Sequence, residues 1–409
     1  MQTLLKKAAP AAQRTEQFDR LLHPITPDAF LRDHYERKAC IIHRNDPHFY
    51  RHLLSFKAIS DLLGSQVLRY PQVKLVNRAL PEPPDPATYT TNGSVIHPAH
   101  FLKRYAEGCT LALAGLHEHL PELGSLCDQL SKFFSHPFQT NIYLTPPNAQ
   151  GFHPHYDTHD VFILQVEGSK LWRLFDTPLA LPLRTQPFEL KKVKPGPVSA
   201  EFTLHAGDML YIPRGLMHDA EATDDLSLHI TVGLLGFTWQ DLLVETIMHV
   251  TREDAALRRY LPVGFANHPY GGDANLRFQQ LLAHLQATVS VKESFDRFAD
   301  KLQNDLWPNL PGQLEEVAAL HQLTPGSRVC KRAALWYRRT SFNDKCQIHV
   351  YGQVIELPAF MAPAIDAVDA ADGPFRIQDL PDCVDEQGKV VFAQRLVKEG
   401  LLQAVRDDR

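Results

Sequence analysis

The stretch H-P-H-Y-D-T-H-D, His153 to Asp160, places three imidazoles and two carboxylates within eight residues. Imidazole and carboxylate are the side chains that hold first-row divalent metals. In an extended segment residues i and i+2 share a face, so His155 and Asp157 point together while Tyr156 turns away. His153 and His159 each lie two residues from one of this pair and share its face if the segment runs regularly. His-x-Asp occurs once in the chain. With 21 histidines present, about one such pair is expected by chance, so the pair needs a second piece of chain to carry an argument.

That second piece is G-D-M-L-Y-I-P-R-G-L-M-H, ending at His218. Gly207 and Asp208 predict a turn, Met209 to Ile212 a strand, and Pro213 with Gly215 a second bend. His218 then opens the next strand. A double-stranded β-helix returns its chain to the same mouth after several strands, so a histidine about 60 residues on can join the first pair. Two imidazoles and one carboxylate on one face, with positions left open, is the facial triad of non-haem Fe(II) sites.

Lys170 has its own logic. With Glu167 and Gly168 predicted as a hairpin turn, the returning strand S-K-L-W-R-L-F puts Lys170, Trp172 and Leu174 on one face. An inward ammonium beside Trp172 requires an anion, because burying it unpaired costs several kcal/mol; the alternative is a solvated hairpin lysine. Asn141 and Tyr143 in N-I-Y-L-T repeat the i, i+2 arrangement, and the Tyr143 phenol is a hydrogen-bond donor.

The surrounding elements fall into three regimes. From about residue 16 to 130, short helical patterns such as Pro27 to Tyr35 and Phe56 to Leu63 form a wrapping, interrupted by the proline-rich loop P-E-P-P-D-P at Pro81 to Pro86. From Phe138 to Gly236 short strands alternate with Gly, Pro and Asp, the mark of a sandwich or barrel. Beyond Phe237 helical spacing takes over, with Trp239, Leu242, Leu243, Thr246, Ile247 and Val250, then Leu276, Leu281, Leu282 and Leu285. From about Arg328, a strand pattern Q-I-H-V-Y-G-Q-V-I-E-L precedes two short helices, which suits a winged-helix-like module.

Composition narrows the function classes. A net charge of -5 over 409 residues gives no general attraction to nucleic acid or membrane. Residues 351–409 hold 11 acids against 6 Lys or Arg, so the last module is expected to repel DNA phosphates. The basic-aromatic cluster C-K-R-A-A-L-W-Y-R-R (Cys330 to Arg339) admits an RNA-stacking reading, weighed against core aromatics with a solvated face. Cys40, Cys109, Cys127, Cys330, Cys346 and Cys383 form no C-x-x-C pair and read as reduced thiols in a cytoplasm. No run of 18 apolar residues predicts a membrane span, and the basic start of the chain reads as a frayed end.

On N-I-Y-L-T, P-H-Y-D, V-F-I-L-Q-V-E-G-S-K-L-W-R-L and G-D-M-L-Y-I-P-R-G-L-M-H, the chain resembles the JmjC-type cupins of the ribosomal oxygenase group, Fe(II)- and 2-oxoglutarate-dependent protein hydroxylases. The resemblance implies a mixed α+β fold. Its parts would be a double-stranded β-helix core with α/β wrapping over 16–237, a helical dimerisation segment over 238–325 and a winged-helix-like domain over 326–409. It implies His155, Asp157 and His218 as iron ligands, and Lys170 as the partner of the distal carboxylate of 2-oxoglutarate. Asn141 and Tyr143 would line the co-substrate pocket, with Thr231 nearby, and O2 would be the oxidant. In the family the position of His153 is commonly a small or apolar residue, so its imidazole is a departure that either meets substrate or is solvated; His159 and Asp160 are expected to cap the loop or pair on the rim, and Arg214 to be structural. The implied activity is hydroxylation of a histidine or arginine side chain in a ribosomal protein by a cytoplasmic homodimer. Alternatives are action on RNA, a small molecule or N-methyl groups, or a non-catalytic cupin scaffold, against which the intact triad and Lys170 weigh.

Overall fold

The computed structural model describes residues 16–267, 272–306, 308–332 and 335–405. The basic start of the chain lies outside them. Two compact units partition the chain: the first holds the residues up to Leu235, 307–336 and those from Phe360 on; the second holds Gly236–Leu306 and Tyr337–Ala359.

The first unit begins with the wrapping: α1 (Glu16–Leu22), α2 (Pro27–Asp33), β1 (Cys40–Ile42), α3 (Phe56–Ser65), β2 (Val73–Val76), the hairpin β3 (Thr90–Thr91) and β4 (Val95–Ile96), α4 (Pro98–Ala106), β5 (Thr110–Ala114) and α5 (Pro121–Phe134). Capping explains several of these starts. The Thr26 hydroxyl accepts the Ala29 N–H with Pro27 in the first turn, and Ser55 does the same for Ala58. The cupin strands follow as β6 (Phe138–Thr145), β7 (Asp160–Phe175), β8 (Val198–His205), β9 (Met209–Ile212) and β10 (His218–Leu234). Their antiparallel sheet runs β1-β9-β7-β10-β6-β5-β2, with β8 also on β7.

The sheet is buried on both faces. On the outer face Phe30 of α2 packs 5.6 Å from Phe162 and 4.8 Å from Tyr211, ring centre to ring centre. Burying a phenylalanine of this kind contributes about 3 kcal/mol. The inner face holds a smaller apolar cluster of Val161, Ile163, Trp172, Leu174, Leu204, Leu210 and Ile212.

One expectation is corrected here. V-F-I-L-Q-V and K-L-W-R-L-F are not two strands joined by a Glu167-Gly168 turn; they are the halves of the single strand β7, paired with β10 on both sides of a bulge. Gly168 sits at φ +66, and a Cβ there would fall 1.7 Å from the Leu226 carbonyl oxygen. The chain is therefore deflected by a neighbouring strand rather than reversed. Val166 is the extra residue between the pairs Gln165–His229 and Glu167–Leu228. Because side chains alternate with period 2, this one residue switches parity, so Val161 and Ile163 before the bulge share a face with Lys170, Trp172 and Leu174 after it.

The remainder of this unit comprises α9 (Gln313–Ala318), β11 (Arg328–Lys331), α10 (Ala362–Ala370), β15 (Phe375–Arg376), α11 (Glu386–Lys398) and β16 (Leu402–Ala404), with the sheet order β15-β11-β16. Arg332 is buried here, donating to the Pro311 carbonyl at 3.0 Å and to Gln313 Oε1 at 2.6 Å. It is spent on packing, not held out for a nucleic acid.

The second unit comprises α6 (Trp239–Glu253), α7 (Gly272–Thr288), α8 (Val291–Asp305) and the sheet of β12 (Arg338–Phe342), β13 (Lys345–Val350) and β14 (Gln353–Pro358). Q-I-H-V-Y-G-Q-V-I-E-L is thus a hairpin rather than one strand. Tyr351 and Gly352, both at positive φ, make its two-residue turn. Arg338 is paired with Asp296 at 3.2 Å and Asp300 at 2.7 Å.

Candidate metal centre

His155 and His218 come together through the main chain. The two residues form an isolated antiparallel bridge: the His155 N–H donates to the His218 carbonyl at 3.0 Å and the His218 N–H to the His155 carbonyl at 2.8 Å. Pro154 has no N–H to offer, and the segment before β7 makes this bridge instead of a full strand, so the strand expected at H-Y-D is replaced by a bridge and a loop. The i, i+2 consequence survives. Tyr156 is buried on the opposite side with Phe175 and Met217, while Asp157 turns back towards the histidines.

One ligand atom from each of His155, Asp157 and His218 lies within 4.8 Å of the others. The ring centres of the two histidines are 4.7 Å apart, and His218 Nε2 is 3.8 Å from Asp157 Oδ2. Both imidazoles are oriented by their own backbone. His155 Nδ1 lies 2.8 Å from the His153 carbonyl oxygen and His218 Nδ1 3.0 Å from that of Leu216. A carbonyl only accepts, so each Nδ1 carries the proton and each Nε2 keeps its lone pair, the tautomer a metal requires.

Charge follows the same logic. Burial pushes the His218 imidazole down to about 4, and His155 adds to this against the pull of Asp157; the ring is neutral at pH 7. Burial would raise the Asp157 carboxyl, but the positive charge that His155, His218 and His159 acquire in acid holds it below the usual carboxylate range.

The turn into His218 depends on Gly215. It sits at φ +86, and a Cβ would meet the Leu179 carbonyl oxygen at 2.3 Å. Its N–H donates to the Asp157 carbonyl at 3.0 Å, which ties the approach of one ligand to the loop of another.

Beside the triad the inner face is polar. Register aligns Asn141 with Thr231, Tyr143 with His229 and Thr145 with Ser227 across β6 and β10. Lys170, opposite Ala222, is 5% exposed, and its Nζ donates to Thr145 Oγ1 at 3.2 Å. Burial alone pushes this ammonium down to about 7. Tyr143 stacks on His229 at 5.1 Å between ring centres, and Trp172 lies 5.9 Å from His229 and 6.0 Å from His218. Trp172 Nε1 and His229 Nδ1 are buried without a hydrogen-bond partner. Burial and Lys170 together push the His229 imidazole well down.

The sequence-expected residues are therefore gathered on one face. His229 and Thr145 were not foreseen; the signal available was alternation, since His229 is two residues from Thr231 and Thr145 two from Tyr143. His153 is exposed, and its carbonyl is what touches His155. Asp160 departs from the rim position expected of it: it is 1% exposed and held by Tyr211 and Arg214.

The fold and this side-chain set define a JmjC-type cupin. Residues 115–242 match the JmjC domain family model. Among curated relatives, the chain is 30% identical over 353 residues to "Bifunctional lysine-specific demethylase and histidyl-hydroxylase NO66" of Drosophila simulans, covering 81% of this chain and 41% of the relative. It is 31% identical over 324 residues to the protein of that name in Drosophila melanogaster, covering 74% and 49%. The chain thus spans about half the length, or less, of these relatives. Among solved structures it is similar to Escherichia coli ycfD, with a TM-score of 0.54 and 17% identity over 92% of this chain and 97% of that one. A further structure, of YcfD "a Ribosomal oxygenase" with cobalt and 2-oxoglutarate, aligns with a TM-score of 0.51 and 17% identity over 92% and 97%. These structures establish the fold. No described helix is long and apolar enough to cross a membrane.

Proposed function

We propose that this chain is an Fe(II)- and 2-oxoglutarate-dependent dioxygenase that hydroxylates an amino-acid side chain, histidine or arginine, in a ribosomal protein. The observation that carries the proposal is the buried Lys170 on the face that holds the triad. Three ligands leave positions open, as catalytic rather than structural metal sites do. A buried ammonium with one hydroxyl for company calls for an anion. Trp172 Nε1 and His229 Nδ1, unpartnered nearby, fit a ligand rich in acceptor oxygens. The names of the relatives, a histidyl-hydroxylase and a ribosomal oxygenase, support the reaction and the substrate class.

His155 Nε2, Asp157 and His218 Nε2 would hold the iron, and Lys170 the distal carboxylate of 2-oxoglutarate, with Asn141, Tyr143 and Thr231 along its sides. Iron with 2-oxoglutarate and O2 supplies the oxidation of an unactivated C–H bond, chemistry no side chain performs. The protein's part is placement. The His153 and Leu216 carbonyls fix the imidazole tautomers, Tyr143 and Trp172 pack on either side of His229, and half-buried Phe152, 5.5 Å from His155, would meet a substrate side chain that reached the triad. Anaerobic addition of Fe(II) and 2-oxoglutarate should give a metal-to-ligand charge-transfer band that His218→Ala lacks. Incubation with ribosomal proteins in air should add 16 Da to one of them; a parent chain giving neither result refutes the proposal.

We propose further that residues 16–237 form the catalytic domain, 238–325 a dimerisation domain and 326–409 a winged-helix-like domain, with β12–β14 as an excursion of the last. The exposed apolar residues of α6 and α7 support a homodimer. The six free cysteines fit a reducing cytoplasm.

A further inference from the structure

We propose that Asp160 and Arg214, with Glu36 from the wrapping, form a brace that sets the spacing between Asp157 and His218; the proposal rests on the metal-binding reading above. Asp160 follows Asp157 by three residues and Arg214 precedes His218 by four. The Asp160 carboxylate accepts the Arg214 backbone N–H at 3.1 Å and lies 3.4 Å from Arg214 Nη1. Its other oxygen accepts the Tyr211 hydroxyl proton. Arg214 Nη1 is 2.5 Å from Glu36 Oε1, and the Glu36 backbone N–H donates to the Tyr211 hydroxyl at 2.9 Å. Glu36 itself sits at φ 55, left-handed backbone that a residue with a Cβ adopts only when its surroundings hold it there.

The reason to assign position rather than stability to this group is energetic. A buried ion pair is worth little more than hydrocarbon of the same shape, because desolvation offsets the attraction. Tyr211, whose hydroxyl Asp160 holds, lies against Phe30 and Phe162, where an apolar side chain would pack as well. A carboxylate supplies what hydrocarbon lacks, directional acceptors that fix where a backbone N–H must be. Asp157 lies between the His155–His218 bridge and the start of β7 and belongs to neither, so main-chain pairing stops two residues short of it. The Gly215 N–H on the Asp157 carbonyl and the Arg214 N–H on the Asp160 carboxylate make that connection, and both come from the two residues the brace immobilises.

The test is a Co(II) titration of the full chain, read by calorimetry and by the visible d–d bands of the ion, with thermal unfolding of each metal-free variant as control. Outer partners of metal ligands are worth about 10- to 100-fold in affinity. Asp160→Asn and Arg214→Met should each weaken Co(II) binding about tenfold or more and shift the bands, Glu36→Gln should do so to a smaller extent, and Arg214→Lys, which keeps the charge, should recover part of the loss. Folded variants with affinity within about twofold of the parent and unshifted bands would overturn the brace. If Asp160→Asn does not fold, Glu36→Gln and Arg214→Lys decide, since the Glu36 side chain is 37% exposed and the lysine preserves the cation; unchanged binding in both overturns it equally. A parent chain that takes up no Co(II) removes the metal reading itself and the brace with it, an outcome distinct from binding that ignores the substitutions.

Discussion

Beside the triad, polar groups are buried where most interiors hold hydrocarbon; on α6, hydrocarbon meets water where most surfaces hold charge. Lys170, His229 and the indole N–H of Trp172 lie inside the cupin with few or no partners. On α6, Trp239 is 73%, Leu243 59% and Ile247 45% exposed, three residues at successive helical turns, and only Thr246 and Val250 of that helix are buried. Each region is unfavourable in isolation, for opposite reasons. An orphaned buried donor costs free energy that a ligand restores, and an exposed apolar stripe wider than scattered single residues costs free energy that a protein surface restores. The polar interior asks for something small, charged and hydrogen-bonding, whereas the apolar helix asks for something large and dry.

Substitutions can separate the two. The largest effect is expected for His218→Ala: loss of one of three ligands should abolish the charge-transfer band and any hydroxylation, with the mass spectrum of the incubated substrate unchanged. Next, Lys170→Ala should weaken 2-oxoglutarate binding at least about a hundredfold by calorimetry, since breaking a buried charge pair costs about 3 to 5 kcal/mol; an unaltered constant would detach Lys170 from the pocket.

The same lysine gives a pH signature without ligand. Its folded value is pushed down to about 7 by burial, against 10.5 for an ordinary lysine, so between these values the unfolded chain binds the extra proton and stability rises with pH. Below about pH 7 the penalty is complete. Lys170→Met should therefore stabilise the metal-free protein by ~3 kcal/mol or more near neutrality, and this gain should shrink as pH climbs towards 10 in denaturant titrations. A gain that does not change with pH would mean the ammonium is not desolvated. Smallest is the effect on α6: for the homodimer proposed above, Leu243→Asp should weaken self-association by roughly 30-fold, the equivalent of one 2 kcal/mol interface anchor, measured by sedimentation, and should leave 2-oxoglutarate binding untouched.

Much of the polar site was legible because it depends on local alternation. That His155 and Asp157, Lys170 and Trp172, and Asn141 and Tyr143 share a face pair by pair follows from the two-residue repeat of extended chain, whereas the pocket role of Asn141 and Tyr143 came from the resemblance alone. What was not legible depends on residues far along the chain. Gly168 reads as a turn residue in any hairpin; that it deflects the strand instead is decided by the Leu226 carbonyl against it. Asp160 reads as one more acid beside the metal ligands, and its burial is set by Tyr211 and Arg214. His229 carries no sign in sequence that distinguishes it from a packed core histidine. The α6 stripe was visible as periodicity, but helical spacing marks an apolar face equally well whether it is buried or bare.

The doubled hydrogen bond between His155 and His218 reaches beyond these tests. Because peptide groups rather than the ion hold the two rings side by side, the cradle is assembled before any metal arrives, and losing the ion should not melt the domain. Three ligands set only part of a divalent ion's coordination shell, and nickel, copper or zinc bind nitrogen and oxygen donors more tightly than ferrous iron does. Which ion the proposed centre carries is then governed by what its surroundings supply, so the proposed activity should track the history of metal exposure more closely than the integrity of the fold.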